Sequence, residues 1–381
     1  MLNIFQPKRL QQARCLKRMS VSEVGDAIEV TRQSLRQFET GERTPLPKNV
    51  EKMAAVLGVP VEFFLRPFGK LESSKRSIVH YRSLKRTRDL IREQQRAGAF
   101  LDLAAAMMDT LEQHIEFDAA RVPRLIDPST DVLSLDLDAI EELAASARKH
   151  LGLGEGPISD VTLLIENLSI PVIYAPLPDG MDGLSAWYGD RPFIVVSSEA
   201  SHARSRANVA HEFGHVIAHQ EISEESELDD ETFDIVEPQA WRFAGAFLLP
   251  AKSFLSEVYS VSLDSLLVLK TKWGVSVAAM IRRLRDLGVI DDYQFKRLRI
   301  QLSARKWLKV EPGDDREREK SRLMNRAAQF LAENGELSIP DLANESKLPR
   351  EFLSNALEIP PEGLLPPPPR NVVQFRMRES T

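Results

Sequence analysis

Residues 206–219 read RANVAHEFGHVIAH, and this stretch decides what the middle of the chain is. His211 and His215 stand four apart, so on a helix both imidazoles leave one face and can reach a single ion. Glu212, beside the first histidine, can accept a proton from water at that ion while the cation polarises an amide carbonyl. Such a string also arises by chance on exposed helices. Here Val209, Ala210, Phe213, Val216 and Ile217 would bury the helix, and a buried helix has little use for paired histidines except ligation. His219 lies one turn further along the same face and is read as a support behind the ligands rather than as a ligand.

A hydrolytic zinc site needs a third protein ligand and one open position. Downstream, Glu221 to Glu237 holds nine carboxylates and no Lys or Arg. A run of like charge is mostly solvated, and composition alone does not choose among its members. Glu237 is set apart by its C-terminal neighbours. Pro238 is favoured in a helix's first turn, and Ala240, Phe243, Ala244, Phe247 and Leu248 form an apolar stripe. The expectation is a carboxylate at a helix start, facing the histidine helix across a packed pair.

Outward from this centre the chain divides by pattern. A helix over 139–150, another over 161–168 and β-like runs Pro171–Tyr174, Leu184–Tyr188 and Phe193–Val196 precede the histidines, and helices dominate after them. The fold class expected is therefore mainly α with a small sheet of about three strands. The divisions are a set of short helices over 1–67, a basic helical connector over 68–134 and the domain that carries the histidines over 135–310. A C-terminal helical module over 311–360 and a proline-rich tail over 361–381 complete the chain. In the connector, Phe100, Leu101, Leu103, Met107, Met108 and Leu111 make a stripe at helical spacing, which reads as core.

The 381 residues are 43% hydrophobic and 28% charged, a globular balance. No apolar run approaches the roughly 20 residues of a membrane span, and the basic N-terminus lacks the apolar core of a secretory signal. The single cysteine, Cys15, excludes an internal disulfide and fits a reducing compartment, so a cytoplasmic protein is expected. Net charge is −6, yet residues 1–100 carry 20 Lys and Arg against 10 Asp and Glu, the remainder 30 against 46. A basic amino-terminal quarter on an acidic body points to a polyanion partner for that quarter.

That quarter reads as short helices. Ser20 and Glu23 fit a capping box, and Val24, Ala27 and Ile28 make an apolar face. Gly25 suits a close crossing, Thr31 can cap the next helix, and Gly41 can end it. Leu35 and Phe38 point inward. Arg32, Gln33, Ser34, Arg36 and Gln37, with Arg43 beyond, remain to meet base edges and phosphates of double-stranded DNA.

Residues 19–67, MSVSEVGDAIEVTRQSLRQFETGERTPLPKNVEKMAAVLGVPVEFFLRP, resemble the Cro/lambda-repressor-like (XRE-type) helix-turn-helix family over its whole five-helix module. The chain departs at Glu29, where glycine is usual in the turn, and at Val21, where a phosphate-contacting glutamine is common. The resemblance implies a homodimer on two half-sites. Three further segments, DGLSAWYGDRPFIVVSSEASHARSRANVAHEFGHVIAH, EPQAWRFAGAFLLP and LKTKWGVSVAAMIRRLRDLGVID, resemble ImmA/IrrE-type metallopeptidases. That likeness implies zinc on His211, His215 and Glu237, with Glu212 as general base. It also implies a protein substrate, a repressor or regulator. Trp241 stands where an asparagine is usual, and Ser197–Ser198 replace another.

Three lesser candidates accompany the site: Tyr188 for an oxyanion, although a strand tyrosine is more often packing, Arg206 for substrate, and His219 behind the ligands. Arg204 and Arg206 read at least as well as helix-flanking salt bridges. Two functions fit. One is a transcription regulator with a zinc endopeptidase that cuts a partner regulator or itself. The other is a transcription factor whose catalytically silent metallopeptidase-like domain senses or oligomerises. An antitoxin-like regulator of a neighbouring toxin is a third reading.

Overall fold

The computed structural model describes residues 4–74, 88–178, 180–220, 230–308 and 310–366. The connector residues Lys75, Arg76, Arg82, Lys85 and Arg86, the acidic run Glu221 to Asp229, and Phe375 and Arg376 of the tail lie outside the described residues.

Four helices open the chain: α1 (Pro7–Leu16), α2 (Val21–Ala27), α3 (Arg32–Thr40) and α4 (Pro47–Leu57). The fifth expected helical segment is a single 3-10 stretch, Val61–Leu65. Local chemistry sets these bounds. The capping box at Ser20 and Glu23 forms, Thr31 accepts from the Ser34 amide, and Gly41 ends α3 at φ +79°. A side chain at Gly25 would meet the Val30 carbonyl at 3.0 Å, so glycine relieves a tight approach where the turn folds back. Ala27 is exposed, and the inward face of α2 consists of Val24, Gly25 and the following Ile28. Glu29 holds φ +62° where the family's glycine would be unstrained, and it pairs with Lys52.

The long α5 (Arg88–Leu111) runs between this module and a three-stranded sheet. Next come α6 (Leu137–His150) and α7 (Val161–Glu166), then β1 (Val172–Ala175), β2 (Gly183–Tyr188) and β3 (Arg191–Ser197). Strand order is β1-β3-β2, with β1 parallel and β2 antiparallel to β3. The strands match the expected ones within two residues at each end.

Alternation across the sheet divides the interior in two. Ile173, Ala175, Leu184, Ala186, Tyr188, Phe193 and Val195 join one core with α5, the amino-terminal helices and the C-terminal ones. Val172, Tyr174, Ile194 and Val196 face the other core, under the histidine helix. That helix is α8 (His202–Ala218), paired with α9 (Asp230–Leu248). Four more helices, α10 (Ala251–Glu257), α11 (Leu263–Trp273), α12 (Val277–Asp286) and α13 (Asp292–Ala304), complete the second core. The last three, α14 (Leu323–Glu333), α15 (Ile339–Ser346) and α16 (Arg350–Ala356), return to α5, and α16 also meets β1. The molecule is thus mainly helical with one small sheet. Among the described residues no helix is long and apolar enough to cross a membrane.

Candidate functional site

Every residue of α8 from Ala203 to Ala218 except Arg204 is buried, so its histidines cannot be an accident of a solvated face. Close packing against α9 brings the third group to them. A side chain at Gly214 would lie 3.1 Å from the Phe243 ring and 3.3 Å from the Ala240 carbonyl, and glycine there lets the two helices touch. Glu237 does not open its helix. Pro238 lies inside α9, which begins at Asp230. A proline ring costs the helix one amide bond, and burial of Val236, Ala240, Phe243, Ala244 and Phe247 offsets that cost.

Nε2 of His215 is 3.2 Å from Nε2 of His211 and 3.2 Å from Oε1 of Glu237, whose Oε2 is 3.6 Å from Nε2 of His211. One ligand atom from each residue lies within 4.8 Å of the other two. Burial pushes His215 down to about 4 and His219 down to about 3, so both rings are neutral at pH 7. Burial alone would raise Glu237, but the two imidazoles outweigh it and hold the carboxylate well below its usual range. Two imidazoles and a carboxylate held ionised, aimed at one point, are the donor set of a divalent cation such as zinc. The residues fit the metal.

Glu212 is 3% exposed. Burial pushes its carboxyl well above the usual range, and the Ser185 hydroxyl, donating to Oε2 at 2.8 Å, opposes that rise. A side chain at Gly183 would meet Oε1 at 2.8 Å. The Trp241 ring lies 4.3 Å from the His211 ring between centroids. Beyond it opens a cleft of about 570 Å³, bordered by Trp241, Asn208, Asp182, Arg204 and Arg282. Asn208 is buried there and its Oδ1 finds no partner among the described residues.

In the amino-terminal module, Arg32, Gln33, Arg36 and Arg43 are exposed along and just beyond α3, while Ser34 and Gln37 are half-buried. The Ser34 hydroxyl lies 2.9 Å from that of Thr31, and the Arg43 amide donates to the Gln37 carbonyl at 3.1 Å. Leu35 and Phe38 are buried, so α3 turns its polar face outward.

Residues 10–64 match the family model described as helix-turn-helix, and residues 165–285 match that of the IrrE N-terminal-like domain. The chain joins these two domains. No curated protein matches it.

Within the IrrE-like domain two lesser candidates take their alternative roles, Tyr188 in packing and Arg206 in a salt bridge. Tyr188 is on the sheet face opposite Ser185, and its hydroxyl donates to Asp102 of α5 at 2.6 Å. Gln12 of the helix-turn-helix donates to the same carboxylate at 3.1 Å. The period of two along β2 separates Tyr188 from the histidines, so it serves no oxyanion here. Arg206 leaves the far side of α8, buried against Glu319 and the Ile158 carbonyl, and does not reach the cleft. Arg204 pairs with Asp182 at 2.8 Å.

His219 supports His215, with Nδ1 facing Nδ1 at 2.9 Å, and meets Gln239 Oε1 through Nε2 at 2.9 Å. Ser185, Gly183, Asn208 and Gln239 are the site residues that sequence reasoning missed. For Asn208 a signal existed: it precedes Glu212 by four on a helix and so shares its face.

Proposed function

We propose that the chain is a DNA-bound regulator whose IrrE-like domain hydrolyses a peptide bond in a partner regulator or in the chain itself. The carrying observation is the convergence of His211, His215 and Glu237 beside a buried Glu212 that Ser185 holds in place. His211, His215 and Glu237 would hold zinc, which supplies Lewis acidity toward a carbonyl and acidifies water. Glu212 takes the proton at its carboxylate and passes it to the leaving amine. Ser185 fixes the orientation of that carboxylate. The cleft beyond Trp241 receives the substrate segment, with the Asn208 Oδ1 available to a backbone amide. The helix-turn-helix presents Arg32, Gln33, Arg36, Gln37 and Arg43 to the DNA groove, as one half of a homodimer in the cytoplasm, with Ser34 at the start of the same helix.

Glu212→Gln tests this reading. The variant should keep bound metal and DNA affinity, and lose on the order of 10²–10⁴-fold in cleavage of the partner, the span of a lost general base. Target-gene control that persists unchanged in that variant would replace the reading with a second one, a silent domain used as a sensor. The ring of Trp241 over His211 and the burial of Glu212 are what favour that alternative.

A further inference from the structure

We infer that Gln239 and His219 fix the proton of His215 on Nδ1, leaving its Nε2 lone pair aimed at the metal position. The inference rests on the metal-centre reading of His211, His215 and Glu237 and assigns positioning residues to it.

Read from its Gln239 end, the chain of hydrogen bonds has one arrangement for neutral rings. The Gln239 Nε2 lies 2.9 Å from the Val132 carbonyl and 2.9 Å from the Leu135 carbonyl. Two carbonyl oxygens can only accept, so both amide protons point at them and the amide oxygen points the other way. That oxygen faces His219 Nε2, which must therefore donate. A neutral imidazole carries one proton, so His219 Nδ1 accepts. The atom facing it is Nδ1 of His215, which must donate in turn. The atom left to His215 is an unprotonated Nε2, directed at His211 and Glu237.

Each member is sealed from water, Gln239 at 2%, His219 at 4% and His215 at 2% exposed, so the relay contends not with solvent but with Oε1 of Glu237, 3.2 Å from His215 Nε2. The relay starts on the backbone between Val132 and Leu135, ahead of α6, far from the histidines in sequence. His211 has no such backing. Its Nδ1 finds no partner among the described residues, and its ring leans on Trp241. His215 is thus the preset ligand of the pair. Donating a second-ring proton in this way orients a ligand and raises its basicity.

The test uses the full chain, labelled with ¹⁵N at histidine and freed of metal. Long-range ¹H–¹⁵N correlation should show His215 protonated at Nδ1 and His219 at Nε2. A His215 ring protonated mainly at Nε2 overturns the inference without any variant. Zn(II) affinity by chelator competition supplies the second arm. His219→Phe keeps the ring and removes the acceptor, and should weaken binding 10–100-fold. His219→Gln restores an acceptor and should stay within about threefold of wild type. Equal affinity for wild type and His219→Phe overturns the proposal. Should the wild type take no Zn(II) while the correlation shows the expected protons, the metal reading fails and the proton assignment stands.

Discussion

The Ser185 hydroxyl donates to the Glu212 carboxylate at 2.8 Å, linking the strand next to the histidine helix with the acidic side chain beside His211. This bond favours the ionised form, and burial opposes it. In Ser185→Ala the carboxyl should rise further, moving the acid limb of the pH–rate profile for cleavage to higher pH. A hydrogen bond to a charged group contributes about 1.5–3 kcal/mol, so cleavage at neutral pH should fall on the order of tenfold or more. An unmoved acid limb would show that Ser185 does not hold the base.

Gly183 tests the same base by space rather than charge. An added methyl would lie 2.8 Å from Oε1 and 3.0 Å from Cγ of Glu212, so Gly183→Ala must displace the carboxylate. Misplacement by about 1 Å costs roughly 100-fold in a positioned reaction. Zn(II) affinity should stay unchanged, because Glu212 is not among the converging ligands. Joint loss of metal and cleavage would indicate wider disruption of the sheet edge.

Sequence and structure part at definite residues. The histidine pair was legible because a spacing of four projects along one helix face regardless of its surroundings. Glu237 was legible as the carboxylate that meets the histidine pair but not as a mid-helix residue. Proline favours a first turn, and nothing local revealed that apolar packing further along would carry the helix across it. Ser185 and Gln239 were invisible because their partners, Glu212 for one and Val132 and Leu135 for the other, lie 27 and more than 100 residues away. For Tyr188 the packing reading could have been preferred outright, because the strand's period of two already placed it with Leu184 and Ala186, away from Ser185. The small sheet was legible from its β-like runs; that α5 covers its far face came from no local signal.

Acid should expose the buried histidines. His219 sits at about 3 in the folded, metal-free protein against an ordinary 6.5. Its folded pKa is lowered, so below pH 6.5 the unfolded chain binds the extra proton first. The stabilisation is therefore complete above pH 6.5 and is lost as pH falls toward 3. Glu212 and Glu166, both raised by burial, shift stability the opposite way, so a difference measurement is needed. Between pH 7 and pH 4 the metal-free wild type should lose on the order of 2–3 kcal/mol relative to His219→Gln. Denaturant unfolding of both at each pH reads this directly, and parallel curves would contradict a neutral, buried His219.

The outward face of α3 makes a separable prediction about DNA. Arg32, Arg36 and Arg43 are exposed and have no carboxylate within ion-pair distance among the described residues. Cations in that state meet phosphate and release its condensed counterions, a gain that shrinks as salt is added, so log affinity should fall linearly with log salt. Each lost phosphate contact should flatten the slope by about 0.9. Arg36→Ala and Arg43→Ala should therefore weaken binding to all sequences alike and reduce the slope by about one each, if both side chains lie on the backbone. Gln33→Ala should leave the slope unchanged and lower discrimination at one base pair by about 1–3 kcal/mol. Titrations of a labelled duplex at several salt concentrations separate the two behaviours. An affinity flat from low to physiological salt would remove α3 from the DNA backbone, and with it the argument that the basic amino-terminal quarter exists to meet a polyanion.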